Sequence, residues 1–84
     1  MLEGSCLCGA VRYQIDAALG AMHHCHCSRC RKAHGAAFST FASVPADRVR
    51  FVAGEDRVRR YRSSPPVERS FCEVCGSNLT FRFD

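Results

Sequence analysis

The chain has 84 residues, of which 46% are hydrophobic and 24% charged, and its formal net charge is +4. That hydrophobic content is typical of a globular protein and excludes a disordered chain, while the lack of an apolar run of about 20 residues excludes a membrane-spanning helix. So short a chain predicts a single domain over residues 1–84. It needs reinforcement, because it buries only about 60% of the surface that its unfolded form exposes.

The residue pattern predicts a mostly β protein. Apolar and polar residues alternate, or aromatic and β-branched residues cluster, in six segments bounded by turn residues. These predicted strands are Val11–Ile15, Phe38–Val44, Val49–Val52, Val58–Tyr61, Glu68–Phe71 and Asn78–Phe83. Only Ser28–Ala33 is predicted to form a helical turn. The expected fold is therefore all-β, or β-dominated, with a core that contains Phe38, Phe41, Phe51, Phe71 and Phe81.

Seven cysteines are grouped in three short clusters, and this grouping is the most informative feature of the chain. The clusters are Cys6 and Cys8, then Cys25, Cys27 and Cys30, then Cys72 and Cys75. Spacings of one or two residues place thiolates on one turn of backbone, as a tetrahedral metal requires, and such near neighbours rarely suit a disulfide. Seven is also odd, so a disulfide framework would leave a thiol over. Two zinc ions, one held by four cysteines and one by three, would use all seven.

The first and last clusters together offer four thiolates, and glycines flank them where the backbone must turn tightly. A closed zinc site of four sulfurs is structural, because it has no vacant position and contributes folding energy. Shared between the two ends of the chain, such a zinc would tie those ends together. The alternative is that these cysteines are buried without a metal.

The middle cluster offers three sulfurs within six residues and leaves the fourth ligand open. That ligand could be water, a substrate thiolate or one of the nearby histidines. His26 lies between two cysteines and would point away from a metal that they share, whereas His23 and His24 could reach it more easily; His34 is also near. An open site would support chemistry, and a site closed by a histidine would be structural.

Four stretches of the chain match a known family in the same order: Gly4–Tyr13, Cys25–Phe38, Tyr61–Ser64 and Arg69–Ser77. In them the chain resembles the glutathione-dependent formaldehyde-activating enzyme family, which also contains centromere protein V. The resemblance implies a small, zinc-stabilised β-tent-like fold. It also implies a structural zinc on Cys6, Cys8, Cys72 and Cys75 and a catalytic zinc, with an open position, on Cys25, Cys27 and Cys30.

The reaction implied by this resemblance joins a thiol such as glutathione to formaldehyde, giving an S-hydroxymethyl adduct, or reverses that step by carbon–sulfur cleavage. The expected function is thus a zinc-dependent carbon–sulfur lyase that acts on a small thiol adduct. Family members continue for several strands beyond the last cysteine pair, whereas nine residues follow Cys75 here. We therefore expect a short or C-terminally truncated member, in which a second copy of the chain, as a homodimer, could complete the pocket.

Two other functions compete with the enzyme: a non-catalytic zinc module that binds nucleic acid or protein, and a thiol redox or zinc-buffering protein. Seven thiolates and two zinc ions would together contribute −3, which reduces the formal +4 to about +1. Only Arg57–Arg62 forms a basic cluster. We therefore rank nucleic acid well below a small thiol as the partner. The first residues do not resemble a signal peptide, and free-thiol clusters indicate a reducing cytoplasm.

Three arginines are weaker candidates for the site. Arg62 and Arg69 flank the loop before the last cysteine pair and could hold a substrate carboxylate in bidentate fashion. A solvated strand face is the more ordinary interpretation of both, and the one we favour. Arg31 directly follows the three-cysteine cluster and could lie near its negative charge. Gly35 is expected to serve a tight turn.

Overall fold

The computed structural model describes residues 1–83, which form eight strands, one α-helix and two 3₁₀ turns. The strands are β1 (Leu2–Ser5), β2 (Arg12–Ile15), β3 (Met22–Cys25), β4 (Ser39–Ala42), β5 (Val49–Ala53), β6 (Val58–Ser64), β7 (Val67–Cys72) and β8 (Asn78–Phe83). The helix α1 is Ser28–His34, and the 3₁₀ turns are Ala46–Arg48 and Glu55–Arg57. Three small antiparallel sheets result, with strand orders β1-β2-β5, β3-β4 and β6-β7-β8.

The β-dominated fold that the sequence predicts is confirmed, and each of the six predicted strands is present. Strand β6 runs past its predicted end at Tyr61, because Ser64 still pairs with Val67 across the turn at the two prolines. Strands β1 and β3 were not predicted. The segment of β1 contains a glycine and that of β3 two histidines, so neither alternates clearly. Both become strands through pairing with β2 and β4.

Helix α1 begins and ends with recognisable caps. The Cys27 sulfur accepts a hydrogen bond from the Cys30 N–H at the N-terminus. At the C-terminus, Gly35 adopts left-handed backbone angles, with φ of 60°, and its N–H donates to the Arg31 carbonyl. Glycine adopts this conformation without the steric penalty of a Cβ, so the prediction of a tight turn at Gly35 is confirmed. Within residues 1–83 no helix is long and apolar enough to cross a membrane.

Small residues fill the core. The buried apolar positions are Cys6, Val11, Cys30, Val58, Val67 and Cys72. The prediction that five phenylalanines form the core is wrong: none is fully buried, Phe38 is 40% exposed, and Phe51 packs at the edge of the core. Two cysteine-bearing turns contribute Cys6 and Cys72 to the core, and Phe41 lies outside it against Phe81, with ring centroids 4.8 Å apart.

Gly54 fixes how the loop after β5 meets the start of the sheet. Its φ is 71°, and a Cβ at this position would overlap the carbonyl of Ala10. Only glycine allows both this conformation and this approach. The contact packs the loop against the residues that lead from the first cysteine turn into β2.

Candidate metal centres and the adjoining cleft

Two hairpin turns of similar construction bring the first and last cysteine pairs together. In the β1–β2 turn the Cys6 N–H donates to the Val11 carbonyl at 3.0 Å, and in the β7–β8 turn the Cys72 N–H donates to the Ser77 carbonyl at the same distance. Each turn also contains a glycine in the left-handed region, Gly9 and Gly76. A further bond, from the Leu7 N–H to the Ser77 hydroxyl at 2.9 Å, joins the two turns.

The four sulfur atoms on these turns form one compact group. The Sγ atoms of Cys6, Cys8, Cys72 and Cys75 all lie within 4.8 Å of one another, with 3.5 Å from Cys6 to Cys8 and 3.9 Å from Cys8 to Cys72. A disulfide needs about 2.05 Å. Sulfurs placed about 2.3 Å from a tetrahedral zinc ion are about 3.8 Å apart. The spacing therefore fits a four-coordinate metal.

The pKa values of two of these thiols also favour a bound cation. Hydrogen bonds from the Ser77 hydroxyl and from the backbone lower the pKa of Cys75 to about 5. A backbone hydrogen bond from Ala10 lowers the pKa of Cys8, but desolvation and the neighbouring thiols outweigh it and raise that pKa to about 11. Such opposite shifts arise because thiols this close cannot all ionise without a compensating positive charge. A divalent cation that prefers sulfur ligands, such as zinc, fits the donor set.

The second sulfur group is local and lies where β3 passes into α1. Cys25 ends β3, Cys27 caps the helix and Cys30 lies in its first turn. Their Sγ atoms also lie within 4.8 Å of one another, and within residues 1–83 no histidine, aspartate or glutamate belongs to this group. Cys30 is buried, whereas Cys27 is exposed. The arrangement can hold a metal by three sulfurs.

Within residues 1–83, no histidine that the sequence offered as a fourth ligand joins the three sulfurs. His23 lies against Phe41 with ring centroids 5.5 Å apart. His24 hydrogen-bonds the Thr40 hydroxyl at 3.0 Å, and His26 lies against Phe38 at 5.1 Å. Pairing of β3 with β4 accounts for the first two contacts, since it sets His23 opposite Phe41 and His24 opposite Thr40.

Arg69 links the three-sulfur group to the sheet of β6, β7 and β8. Its Nη2 donates to the Cys30 sulfur at 3.4 Å and its Nε to the Ser63 hydroxyl at 2.9 Å, and the side chain is buried. The favoured interpretation of Arg69 as part of a solvated strand face is therefore wrong. It lies on the central strand of this sheet and contacts α1. Arg31, which could lie near the negative charge of the three-cysteine cluster, is an exposed residue of helix α1.

The contact with Arg69 changes the ionisation of Cys30. Burial raises the pKa of this thiol, but hydrogen bonds from Arg69, from Ser39 and from the two neighbouring cysteines outweigh that effect and lower it to about 7. A charged donor stabilises a thiolate more than a neutral donor does. Sequence reasoning had no means of finding this pair, because 39 positions separate its members.

The basic cluster Arg57–Arg62 is interleaved with carboxylates. Arg57 and Arg59 both pair with Glu73, and Arg60 pairs with Glu68 at 3.4 Å. Arg62 also pairs with Glu68, and its Nη1 donates to the Pro65 carbonyl at 2.9 Å. Arg62 is exposed, as expected for a residue on a solvated strand face, whereas Arg69 is buried. A uniformly positive stripe, which phosphate binding favours, does not form here.

A cleft of about 230 Å³ adjoins Arg69. Its lining residues are His34, Thr40, Phe41, Arg69, Asn78, Leu79, Thr80 and Phe81. Burial, and then the charge of Arg69, lower the pKa of His34, so its imidazole is neutral at neutral pH. Another cleft, of about 200 Å³, lies beside Met1 and Arg48. Neither lining includes a cysteine, but the first includes Arg69, whose Nη2 donates to the Cys30 sulfur.

The model of the glutathione-dependent formaldehyde-activating enzyme family matches residues 1–83. The chain belongs to this family. A putative glutathione-dependent formaldehyde-activating enzyme of Halomonas elongata is 37% identical over 94% of the chain and 54% of its own length. An uncharacterized lyase of Schizosaccharomyces pombe is 32% identical over 96% of the chain and 57% of its own length.

The chain spans about 38–57% of the length of the curated family relatives it matches. Its fold also has a counterpart among solved structures. A crystal structure of a Rhodobacter sphaeroides protein superposes with a TM-score of 0.81, at 26% identity, over 95% of this chain and 72% of that one. The three small sheets are thus an arrangement that a protein of low sequence similarity shares.

Proposed function

We propose that residues 1–84 form one zinc-binding domain of a carbon–sulfur lyase that joins a small thiol, such as glutathione, to formaldehyde or reverses that addition. The observation that carries the proposal is the group of three sulfurs that no histidine or carboxylate of residues 1–83 completes. A cleft with a buried cation adjoins this group through Arg69. Family membership and the names of the Halomonas and Schizosaccharomyces relatives support the reaction type.

The two sulfur groups take different roles in this proposal. Cys6, Cys8, Cys72 and Cys75 hold a structural zinc ion, and Cys25, Cys27 and Cys30 hold a catalytic one. A zinc ion with three thiolate ligands retains a coordination position, so it can stabilise a further thiolate or polarise a carbonyl oxygen. The difference between the groups lies in their surroundings, since the first joins two turns and the second adjoins the cleft.

The residues around the second group prepare it for a thiol ligand. Arg69 donates to the Cys30 sulfur, which favours the thiolate form and fixes the position of that sulfur. The exposed Cys27 leaves one side of the group open to solvent. Phe41 and Phe81 give the cleft apolar walls, which reduce the access of water to a ligand bound there.

The other two functions receive less support. Carboxylates interleave with the arginines of the Arg57–Arg62 cluster, so nucleic acid has no uniformly basic surface there. The exposed Cys27 favours a redox or zinc-buffering role as the second candidate. Zinc release by mild peroxide, reversed by a thiol reductant, would distinguish that role. The seven free cysteines support a cytoplasmic location. A homodimer stays a prediction that light scattering can test.

Metal content and adduct formation test the proposal together. Protein purified without added zinc should contain about two zinc equivalents per chain. Mixed with glutathione and formaldehyde, it should form S-hydroxymethylglutathione faster than the spontaneous reaction, as followed by NMR. Cys27→Ser should lose one zinc equivalent and the acceleration. Two zinc ions without acceleration would remove the lyase and leave a non-catalytic zinc protein.

A further inference from the structure

Positive charge is concentrated in the part of the chain that bears the three-cysteine group. The whole chain has 12 lysines and arginines and 8 aspartates and glutamates, which gives its net charge of +4. Residues 17–46, which include β3, α1 and β4, hold three of these cations and none of the carboxylates. They therefore carry +3 of the net +4, and the rest of the chain carries only +1.

The three cations of this segment are exposed on α1 and lack partners. They are Arg29, Arg31 and Lys32. Within residues 1–83 none of them forms an ion pair, whereas five arginines elsewhere do: Arg48 with Asp16, Arg57 and Arg59 with Glu73, and Arg60 and Arg62 with Glu68. The charge on α1 is therefore not offset by a paired carboxylate of the fold, and it can attract an anion from solution.

The α1 cations adjoin the open side of the sulfur group. The Arg31 N–H donates to the Cys27 carbonyl at 3.0 Å, so these two residues lie one turn apart on the same side of the helix. Cys27 is the exposed member of the group, whereas Cys30 is buried and its sulfur accepts from Arg69. The buried side of the group thus has a cation of its own, and the solvent side has those of α1.

The charge of a loaded metal site makes these cations useful to an anionic ligand. A zinc ion with three thiolates has a net charge of about −1, and Coulomb repulsion opposes the approach of a further thiolate. Exposed cations nearby reduce that repulsion and attract the carboxylates that the same ligand bears. Several cations spread along a helix suit a flexible anion with carboxylates at more than one position, as in glutathione.

Building on the proposed function, we propose that Arg29, Arg31 and Lys32 form an anion-binding surface that brings carboxylate-bearing thiols to the open side of the three-cysteine group. The contacts are made in solvent, so each contributes modestly and their sum is sensitive to salt. The surface thereby favours anionic thiols over neutral or cationic ones with the same thiol group.

Matched acids and esters test this inference through binding alone. Calorimetry on the zinc-loaded full chain would compare glutathione with its diethyl ester and 3-mercaptopropionate with its methyl ester. At low salt the wild-type protein should bind glutathione about 5- to 20-fold more tightly than its ester, and 3-mercaptopropionate should show a smaller preference in the same direction. Salt at about 0.5 M should remove most of both preferences.

Two triple variants with the same loss of charge locate the effect. Glutamine keeps the helix propensity of arginine and lysine, so the α1 variant should retain its zinc and its circular dichroism while losing the preference. That variant combines Arg29→Gln, Arg31→Gln and Lys32→Gln. The control variant should keep the preference, because its substitutions lie on the exposed surface of the sheet β1-β2-β5 and beside it. It combines Arg12→Gln, Arg48→Gln and Arg50→Gln. If the α1 variant loses zinc, Arg31→Gln alone replaces it and should reduce the preference about twofold or more.

Three outcomes would overturn the inference: equal affinity for acid and ester in the wild-type protein, a preference that persists at high salt, or an undiminished preference in the α1 variant. Salt-sensitive binding of a single-stranded oligonucleotide, lost in the α1 variant and accompanied by equal affinity for acid and ester, would assign the surface to nucleic acid instead. Failure of the proposed function has a different signature. A salt-sensitive preference for acids without accelerated adduct formation leaves the surface and removes the lyase, whereas acceleration with equal affinity for acid and ester leaves the lyase and removes the surface.

Discussion

The two sulfur groups are built from the same residue type but in opposite ways. The four-cysteine group joins turns that are more than 60 residues apart in sequence, and two of its members, Cys6 and Cys72, lie in the core. The three-cysteine group spans six residues, with one buried member, Cys30, that contacts Arg69. The comparison teaches that a metal held by the four cysteines would close a long loop and so stabilise the fold. A metal held by the three cysteines would close only a short loop, and its surroundings would be free for a ligand.

Serine substitutions in the two groups should have the largest and most unequal effects. Cys72→Ser removes a fully buried sulfur of the first group, and we expect it to lower the free energy of unfolding by about 5 kcal/mol or more, which is enough to unfold a small domain. Cys27→Ser should cost about 1–3 kcal/mol, because serine can still cap α1. Thermal unfolding followed by circular dichroism would measure both. Equal losses of stability in the two variants would contradict the view that the four-cysteine group stabilises the fold and the three-cysteine group binds a ligand.

Removal of metal ions should distinguish the two sulfur groups without any substitution. The three-cysteine group is partly exposed, and opening it breaks no connection between distant parts of the chain. We therefore expect a chromogenic chelator to remove one zinc equivalent early, with little change in circular dichroism. The second equivalent should leave only as the protein unfolds, because binding and folding are coupled there. Release of both ions in a single phase that coincides with unfolding would contradict this order.

Replacing each of two glycines by alanine should show how much the backbone near each cysteine group contributes to stability. Gly54→Ala should destabilise the protein by about 2–4 kcal/mol, since it adds an overlap with the Ala10 carbonyl to the strain of a positive φ. Gly35→Ala has the strain but no neighbour within 4 Å, so we expect about 1–2 kcal/mol. Urea unfolding would measure the difference. A larger loss for Gly35→Ala would show that the contact beside the first cysteine turn is unimportant.

The smallest effect should come from Glu73, which lies in the β7–β8 turn between two cysteines and pairs with Arg57 and Arg59. These arginines are about half exposed, so their ion pairs contribute little. Glu73→Gln should lower the free energy of unfolding by less than about 1 kcal/mol, and added salt should reduce the difference from the wild-type protein. Thermal melts at low and high salt would check this. A loss of stability as large as that for Gly54→Ala would contradict this expectation and show that the ion pairs stabilise the β7–β8 turn.

Local patterns predicted much of the fold, but they misplaced its core. Strand β8 runs from Asn78 to Phe83 as predicted, because its alternation is visible within the strand itself. Strand β1 has no such pattern and exists through its pairing with β2. The aromatic residues were expected inside because they are large and apolar. In this small chain, Cys6 and Cys72 from two turns occupy the core, and the aromatic rings pack around it.

The sequence by itself determined which cysteines could share a metal, because ligand spacing within a turn is a local property. It also determined the family, through motifs that keep their order along most of the chain. Only the tertiary structure decided the surroundings of the second group. The burial of Arg69 and its contact with Cys30 depend on how β7 and α1 come together. That packing joins residues 39 positions apart, and no local pattern in either segment encodes it.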